Sequence, residues 1–204
     1  LLGINHLETA PSYGNAEKYL GLALKRLSYE GIKTTTEFVI TSKLLPGVSL
    51  EEGKKQISKI LDRIAIPRID NLAVHGLNLP QHLEWAINGV GSKLFQWARE
   101  ENLIGQLGFS SHGSVTLIKN AINSGQFKFC SLHLHLLSPR LIPLAHLALQ
   151  EGMGVMAISP ADKGGQLYNP SKALIEDCKP FSPLHLAYRF LLSEGISTLT
   201  LGAC

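Results

Sequence analysis

Short runs of β-branched and aromatic residues alternate along the chain with longer segments whose apolar residues recur at helical spacing. This alternation constrains the fold more than any other feature, because strands separated by helical segments pair in parallel. The predicted strands are a first one ending at Glu8, followed by residues 37–43, 69–75, 104–110, 129–135, 154–159 and 197–202. The sequence therefore predicts a parallel sheet whose strands are joined by helices.

Local signals place the helices between these strands. Asn15 is positioned to cap a first helix, and Ser49 with Glu52 forms a capping box at the start of a second. Further helices are predicted over residues 80–101, with an interruption at Gly89 and Gly91, and over 115–123, 141–150 and 183–192.

Two architectures contain such a sheet: an open doubly wound sheet and a (β/α)8 barrel. Polar residues mark most of the predicted strand ends, and a barrel collects its functional residues from many strand ends at one rim. These residues are Glu8, Lys43, His75, Ser110, His112, His135 and Ser159. No G-x-G-x-x-G motif opens a helix directly after a strand, as a dinucleotide-binding open sheet would require. We therefore predict an α/β fold of the TIM (β/α)8 barrel type.

The predicted strands are one fewer than the eight of a complete barrel. Residues 2–5 look like the end of a helix–strand turn, and the chain stops at its last predicted strand. We expect a truncated barrel that lacks its first strand unit, with residues 1–204 forming a single partial domain.

Composition excludes several classes of function. The net charge is +3 and no basic run stands out, so no nucleic-acid partner is expected. No apolar run reaches the roughly 18 residues of a membrane span, so no membrane partner is expected either. The cysteines, Cys130, Cys178 and Cys204, are too widely spaced for a disulfide framework or a CxxC metal site. A cytoplasmic location is the simplest prediction.

Four polar residues lie at the ends of three consecutive predicted strands or in the loop after one: Glu8, Tyr13, Lys43 and His75. Carbonyl reduction needs this mixture, because hydride transfer builds negative charge on oxygen and a donor must meet it. A phenol can donate the proton, a nearby ammonium favours ionisation of the phenol, and a carboxylate balances the ammonium. An imidazole can orient the carbonyl group.

The same residues carry a resemblance to the aldo/keto reductases. Glu8, Tyr13-Gly14 and Glu17 resemble the family's second strand and the loop after it, although the family usually has Asp at the position of Glu8. Ile-Thr-Ser-Lys43 and Leu-Ala-Val-His75-Gly resemble the third and fourth strand motifs. The resemblance implies that Tyr13 is the proton donor, that Lys43 and Glu8 are its modulating ion pair, and that His75 orients the substrate. Residues 6–10 are similar to a subgroup of predicted oxidoreductases that often carry a ferredoxin-like tail.

The resemblance also implies a nicotinamide cofactor. Residues 108–112 are similar to a family segment that holds the carboxamide, with Ser110 matched and Ser111 standing where Asn is usual. Residues 157–165 resemble the seventh strand end and the cofactor loop, so Ser159 and Lys163 are predicted to meet the pyrophosphate. The family's adenosine-binding segment follows the eighth strand, beyond the end of this chain. The resemblance favours NADP, with NAD as the alternative.

The activity implied is NAD(P)-dependent reduction of aldehydes or ketones to alcohols, or the reverse, with a small-molecule substrate and no metal. Two alternatives stay open. His133 and His135, two apart on a predicted strand, could join His75 and Glu8 as the zinc ligands of a barrel hydrolase. A relative that binds the cofactor without chemistry would serve as a regulatory subunit. The substrate, the oligomeric state and the presence of an iron–sulfur tail are not indicated by the sequence.

Overall fold

The computed structural model describes residues 3–32, 37–196 and 198–201. These residues form seven strands: β1 His6–Glu8, β2 Val39–Leu44, β3 Ile69–Val74, β4 Ile104–Ser111, β5 Phe129–His133, β6 Gly154–Ile158 and β7 Thr198–Leu199. They also form eight α-helices: α1 Ala16–Tyr29, α2 Leu50–Ile64, α3 Pro80–Ile87, α4 Val90–Glu100, α5 Val115–Asn123, α6 Ile142–Gln150, α7 Lys172–Asp177 and α8 Pro183–Ser193. The chain divides after Ser110 into two compact units.

In the first unit, β1 to β4 pair in parallel in chain order. Glu8 lies opposite Thr41, and Lys43 lies opposite Ala73. Because the strands are parallel, their C-terminal ends lie at the same edge of the sheet. The polar residues predicted at these strand ends, Glu8, Lys43, His75 and Ser110, are found there.

Helices α1, α2 and α4 cover the first unit. Ile57, Ile60 and Ile64 recur at helical spacing along α2 and are fully buried, each contributing ~1.5–3 kcal/mol by leaving water. Helices α1 and α2 approach closely at Gly21, where a Cβ atom would stand 2.3 Å from the Arg63 carbonyl oxygen. Only glycine permits this backbone contact.

In the second unit, β5, β6 and β7 pair in parallel. His133 lies opposite Ile158, so the end of β5 adjoins the end of β6. The loop that follows β6 is anchored by a small apolar cluster in which Ala161 and Leu167 pack with Ala187 of α8.

The predicted alternation of strands and helices is confirmed, with differences at the ends of elements. The strand predicted over 129–135 ends at His133, because His135 leaves the sheet in a turn that bridges to Ser138. Helix α7 was not predicted, although Ser171 caps it by accepting from the Leu174 N–H at 3.2 Å. Asn15 occupies the N-cap position of α1, but its side chain accepts no capping hydrogen bond. The predicted strand over 197–202 lies partly outside the described residues.

Among the helices that the structure describes, none is both long and apolar enough to cross a membrane.

Candidate active site

Lys43 is a deeply buried charged group near the end of β2, with only 2% of its side chain exposed. Side chains alternate between the two faces of a strand, so Lys43 faces opposite to its neighbour Ser42. The Ser42 hydroxyl donates to Glu17 at 2.9 Å, and Arg63 also donates to Glu17 at 2.9 Å. These hydrogen bonds link α1 and α2 to one face of β2. The Lys43 side chain lies on the other face and takes no part in them.

The Lys43 ammonium has two partners. It forms an ion pair with the Glu8 carboxylate and donates a hydrogen bond to the Tyr13 hydroxyl. The nitrogen also lies 4.5 Å from the centroid of the Tyr13 ring. A buried ammonium needs such compensation, since burying an unpaired charge costs several kcal/mol, about the effective penalty for an ion inside a protein.

Tyr13 is held by the short loop between β1 and α1. Its N–H donates to the Ala10 carbonyl at 3.0 Å, and its own carbonyl accepts from the Ala16 N–H at 3.1 Å. Gly14 follows with a φ of +61°, a left-handed conformation that favours glycine. Tyr13 is 46% exposed, so one side of the phenol faces Lys43 while solvent or a substrate can reach the hydroxyl.

His75 directly follows β3 and completes the group. Its backbone N–H donates to the Leu44 carbonyl at 2.7 Å, which continues the ladder one residue beyond the strand. Its ring packs edge-on against Tyr13, with 5.9 Å between ring centroids, and its Nδ1 lies 3.4 Å from the Ser12 hydroxyl. The structure thus brings together all four side chains that the sequence analysis singled out as candidate catalytic residues.

A cleft of about 310 Å³ opens beside this group. Lys43, His75 and Ser12 line it together with Lys59 and Arg63 of α2. Lys59 and Arg63 were not predicted as site residues, because basic residues on a surface helix are common. Only the packing of α2 beside the strand ends shows that these two border the cleft.

Ser110 ends the first unit and is buried. Its hydroxyl oxygen accepts from the Gly76 N–H at 3.0 Å, and its carbonyl accepts from the Leu77 N–H at 2.8 Å. Ser110 therefore fixes the backbone that leaves His75, in addition to the cofactor role predicted from the resemblance.

In the second unit, Ser111 is fully buried, and its hydroxyl accepts from the Gly113 N–H at 3.0 Å. Ser159 and Lys163 lie in the loop after β6, with Ser159 at a φ of +56° and the Lys163 side chain exposed. A cleft of about 240 Å³ is lined by parts of this loop, including Ser159 and Gly164, and by Tyr188 of α8. Burial and the neighbouring Tyr168 raise the pKa of Tyr188 to about 12, which keeps its hydroxyl protonated.

Three histidines gather near the same loop. The His133 ring centroid lies 5.9 Å from that of His112 and 4.9 Å from that of His135. Burial first, then His135 and His112, lower the pKa of His133, so its ring resists protonation. His135 Nε2 lies 3.5 Å from Asp162 Oδ1. Asp162 was not predicted as a site residue, although it directly precedes Lys163 in a glycine-rich loop that was predicted to bind the cofactor.

The zinc ligands considered from the sequence come from both units, and each has neighbours within its own unit. Glu8 is engaged by Lys43 and His75 contacts Tyr13, whereas His133 and His135 have Asp162 as their acidic neighbour. Burial raises the pKa of Cys130 to about 12, so this thiol is not an activated nucleophile.

Solved structures define the class of fold. An aldo-keto reductase from Bacillus halodurans in its holo form superposes with a TM-score of 0.79 at 20% identity, covering 98% of this chain and 73% of that one. A Pseudomonas aeruginosa protein assigned to the aldo-keto reductases gives 0.77 at 21% identity, covering 99% and 72%. Aldose reductase from Schistosoma japonicum gives 0.73 at 22% identity, covering 97% and 69%. The fold is therefore that of the TIM-barrel class, with seven strands among the described residues, and this prediction is confirmed.

A model of the aldo/keto reductase family matches residues 2–201, and the chain belongs to that family. It is accordingly an oxidoreductase of the aldo/keto reductase type. The family generally uses NAD(P)H and acts on small-molecule carbonyl substrates. A search of curated proteins found no match.

Proposed function

We propose that this protein reduces aldehydes or ketones to alcohols, or catalyses the reverse reaction, with Tyr13 as the proton donor. The observation that supports this most is the position of the Lys43 ammonium, which contacts both the Tyr13 hydroxyl and the Glu8 carboxylate. A proton donor with an adjacent buried cation is the arrangement that stabilises charge on a reduced carbonyl oxygen.

Each residue then has a defined task. Tyr13 donates its proton to the carbonyl oxygen as negative charge builds there, and Lys43 stabilises the phenolate left behind. Glu8 balances the charge of Lys43, so the buried ammonium has a counter-charge. His75 lies beside the Tyr13 ring and borders the cleft, where it can orient the carbonyl group. Because Tyr13 is half exposed, water can restore its proton after each turnover.

The loop after β6 fits the phosphates of a nicotinamide dinucleotide. Gly164 and Gly165 have φ values of +75° and +73°, and open space lies where a Gly164 side chain would stand. Glycine lets the main chain approach a phosphate, and Lys163 adds an exposed positive charge. Ser110, Ser111 and Ser159 are the hydroxyl groups that we assign to the same cofactor. When bound, NADPH, or NADH as the alternative, supplies the hydride.

The location that we propose is the cytoplasm. Cys130 and Cys178 are both free thiols in the described part of the chain, as a reducing compartment would leave them.

Tyr13→Phe tests the proposal. The variant keeps the ring but lacks the proton, so turnover of a panel of aldehydes with NADPH should fall at least about 100-fold, the lower range for loss of a general acid. Cofactor affinity, followed by the change in NADPH fluorescence, should be unchanged.

The matched control is Tyr19→Phe, which makes the same change at an exposed tyrosine of α1. Turnover by Tyr13→Phe equal to that of the control would remove the proton-donor role. Cofactor binding without turnover in the unsubstituted protein would favour a regulatory relative instead.

A further inference from the structure

Three potential metal ligands meet in the second unit. None of them is among the four side chains assigned to proton transfer. His133, His135 and Asp162 each offer one ligand atom, and these atoms all lie within 4.8 Å of one another. His135 Nε2 and Asp162 Oδ1 are 3.5 Å apart. Ligands about 2.1 Å from a tetrahedral zinc ion stand about 3.4 Å apart. The His135–Asp162 pair already has this spacing, and the third ligand atom lies within 4.8 Å of both.

The backbone explains why the two histidines point to the same place. Residues two apart in an extended segment project to the same side, and His133 is the last residue of β5. The Leu134 N–H donates to the Ile158 carbonyl at 3.3 Å, so pairing with β6 continues past the end of β5. The His135 carbonyl then accepts from the Ser138 N–H at 3.0 Å, which turns the chain immediately after the second imidazole.

Asp162 is brought to the histidines by a tight turn after β6. Its N–H donates to the Ser159 carbonyl at 3.0 Å, and its carbonyl accepts from the Gly165 N–H at 2.9 Å. Asp162 has a φ of +65°, a left-handed conformation that aspartate tolerates better than most residues.

One imidazole nitrogen in the cluster has no hydrogen-bond partner. The His135 side chain is only 7% exposed, and within the described part of the chain its Nδ1 is buried and unbonded. Buried polar atoms are normally satisfied, so this ring is one that the described protein atoms do not fully satisfy. The nitrogen that faces Asp162 is Nε2, and Nε2 is therefore the atom available to a cation held between the two residues.

We propose that His133, His135 and Asp162 bind one divalent transition-metal ion, and that Zn²⁺ is the ion they fit. Two imidazole nitrogens and one carboxylate oxygen are ligands that zinc uses in open sites, where water takes the fourth position. Mg²⁺ and Ca²⁺ prefer sets made of oxygen atoms alone, so the two imidazoles select against them. His112, whose ring adjoins that of His133, is the neighbour placed to support the site from outside.

The proposal can be tested without any enzymatic assay. Isothermal titration of the metal-free protein with ZnCl₂ at pH 7.5 should give one site per chain, and Co²⁺ should give visible ligand-field absorption when it occupies the same site. Titration with MgCl₂ should give no heat of specific binding. The double variant His133→Asn/His135→Asn should weaken zinc binding at least about 100-fold. Even the loss of a residue that only hydrogen-bonds to a metal ligand weakens metal binding by about 10- to 100-fold.

Asp162→Asn provides a second variant that keeps the left-handed turn, because Asn also tolerates that conformation. It should weaken zinc binding at least about 10-fold while the circular dichroism spectrum stays unchanged. His185→Asn, at an exposed histidine of α8, is the matched control and should bind zinc like the unsubstituted protein. The proposal fails if the unsubstituted protein binds no zinc, or if the double variant binds it as tightly as the control.

Discussion

The ammonium group of Lys43 donates a hydrogen bond to the hydroxyl of Tyr13, a residue 30 positions earlier in the chain. Tyr13 stands in the loop after β1 and Lys43 near the end of β2, and the parallel pairing of these strands places the two side chains at one edge. Glu8, the last residue of β1, forms an ion pair with the same ammonium group.

Glu8 and Lys43 should be strongly coupled in stability. Glu8→Gln should lower the free energy of unfolding by about 3 kcal/mol, because it leaves a buried ammonium without its counter-charge. Glu8→Gln/Lys43→Met should lose at least ~1 kcal/mol less than the sum of the single changes. Urea unfolding of the four proteins measures this coupling.

The exposed pair of Arg26 on α1 and Glu30, the residue directly after this helix, offers a comparison. The same cycle there should give a coupling of no more than about 0.5 kcal/mol, as is usual for surface pairs one helical turn apart. Additive effects at Glu8 and Lys43 would mean that the ion pair contributes nothing to the folded state.

Ser110→Ala should weaken the backbone around His75. The Gly76 N–H loses its acceptor, and an unsatisfied, partly buried donor costs about 1 kcal/mol at the low end of the usual range. We expect a matching loss in the free energy of unfolding and a lower kcat. Ser193→Ala, at an exposed hydroxyl that donates to the Phe190 carbonyl within α8, should change stability by less than about 0.5 kcal/mol. Equal stability of the two variants would show that the Ser110 hydroxyl does not anchor this turn.

The stability of the protein should fall as the pH drops below about 6.5, the ordinary pKa of histidine. Burial lowers the pKa of His6, with Glu8 and Asp70 opposing the shift, and burial also lowers the pKa of His133. The unfolded chain then binds more protons than the folded one below that pH, so stability increases with pH up to about 6.5 and is retained above it.

Urea unfolding of His6→Asn at pH 7.5 and at pH 5.5 isolates the contribution of one residue. The loss of stability between the two pH values should be smaller in this variant than in the unsubstituted protein. His185→Asn should leave the loss as it is. A His6 variant with an unchanged pH dependence would contradict the assignment.

Gly21→Ala should destabilise the protein by about 1–3 kcal/mol, the usual cost of forcing extra atoms into a packed contact. The new methyl group would stand 2.3 Å from the Arg63 carbonyl oxygen, so helices α1 and α2 must separate. Gly154→Ala is the matched control, because there the nearest atom is the Phe129 Cβ at an ordinary 3.5 Å. Thermal unfolding followed by circular dichroism should show a lower Tm for the first variant than for the second.

Much of the architecture could be predicted from local sequence. Ser49 caps α2 by accepting from the Glu52 N–H, as its capping box predicts, and Ser182 caps α8 in the same way from the His185 N–H. Such caps depend only on residues within one helical turn, as does the apolar spacing of α2. Helix α7 escaped prediction because a short helix in a long loop lacks that spacing, and none of its residues is buried.

The candidate catalytic group was predicted from residue types at strand ends, and its contacts were predicted only through the resemblance to a family, not from any local pattern. Nothing local in the sequence says that Lys43 faces Tyr13 while Ser42 turns to Glu17. That choice depends on the register of β2 and on the packing of α1 and α2. The same holds for Asp162, which joins His133 and His135 only through the turn after β6.

The sequence by itself determined the order of elements, their parallel pairing and the chemical groups at their ends, because these follow from short-range periodicity and capping. Only the tertiary structure decided which groups touch: Lys43 with Tyr13 and Glu8, and His135 with Asp162. Contacts between residues far apart in the chain depend on strand register and on close backbone approaches such as that at Gly21, and these are settled only when the whole core packs.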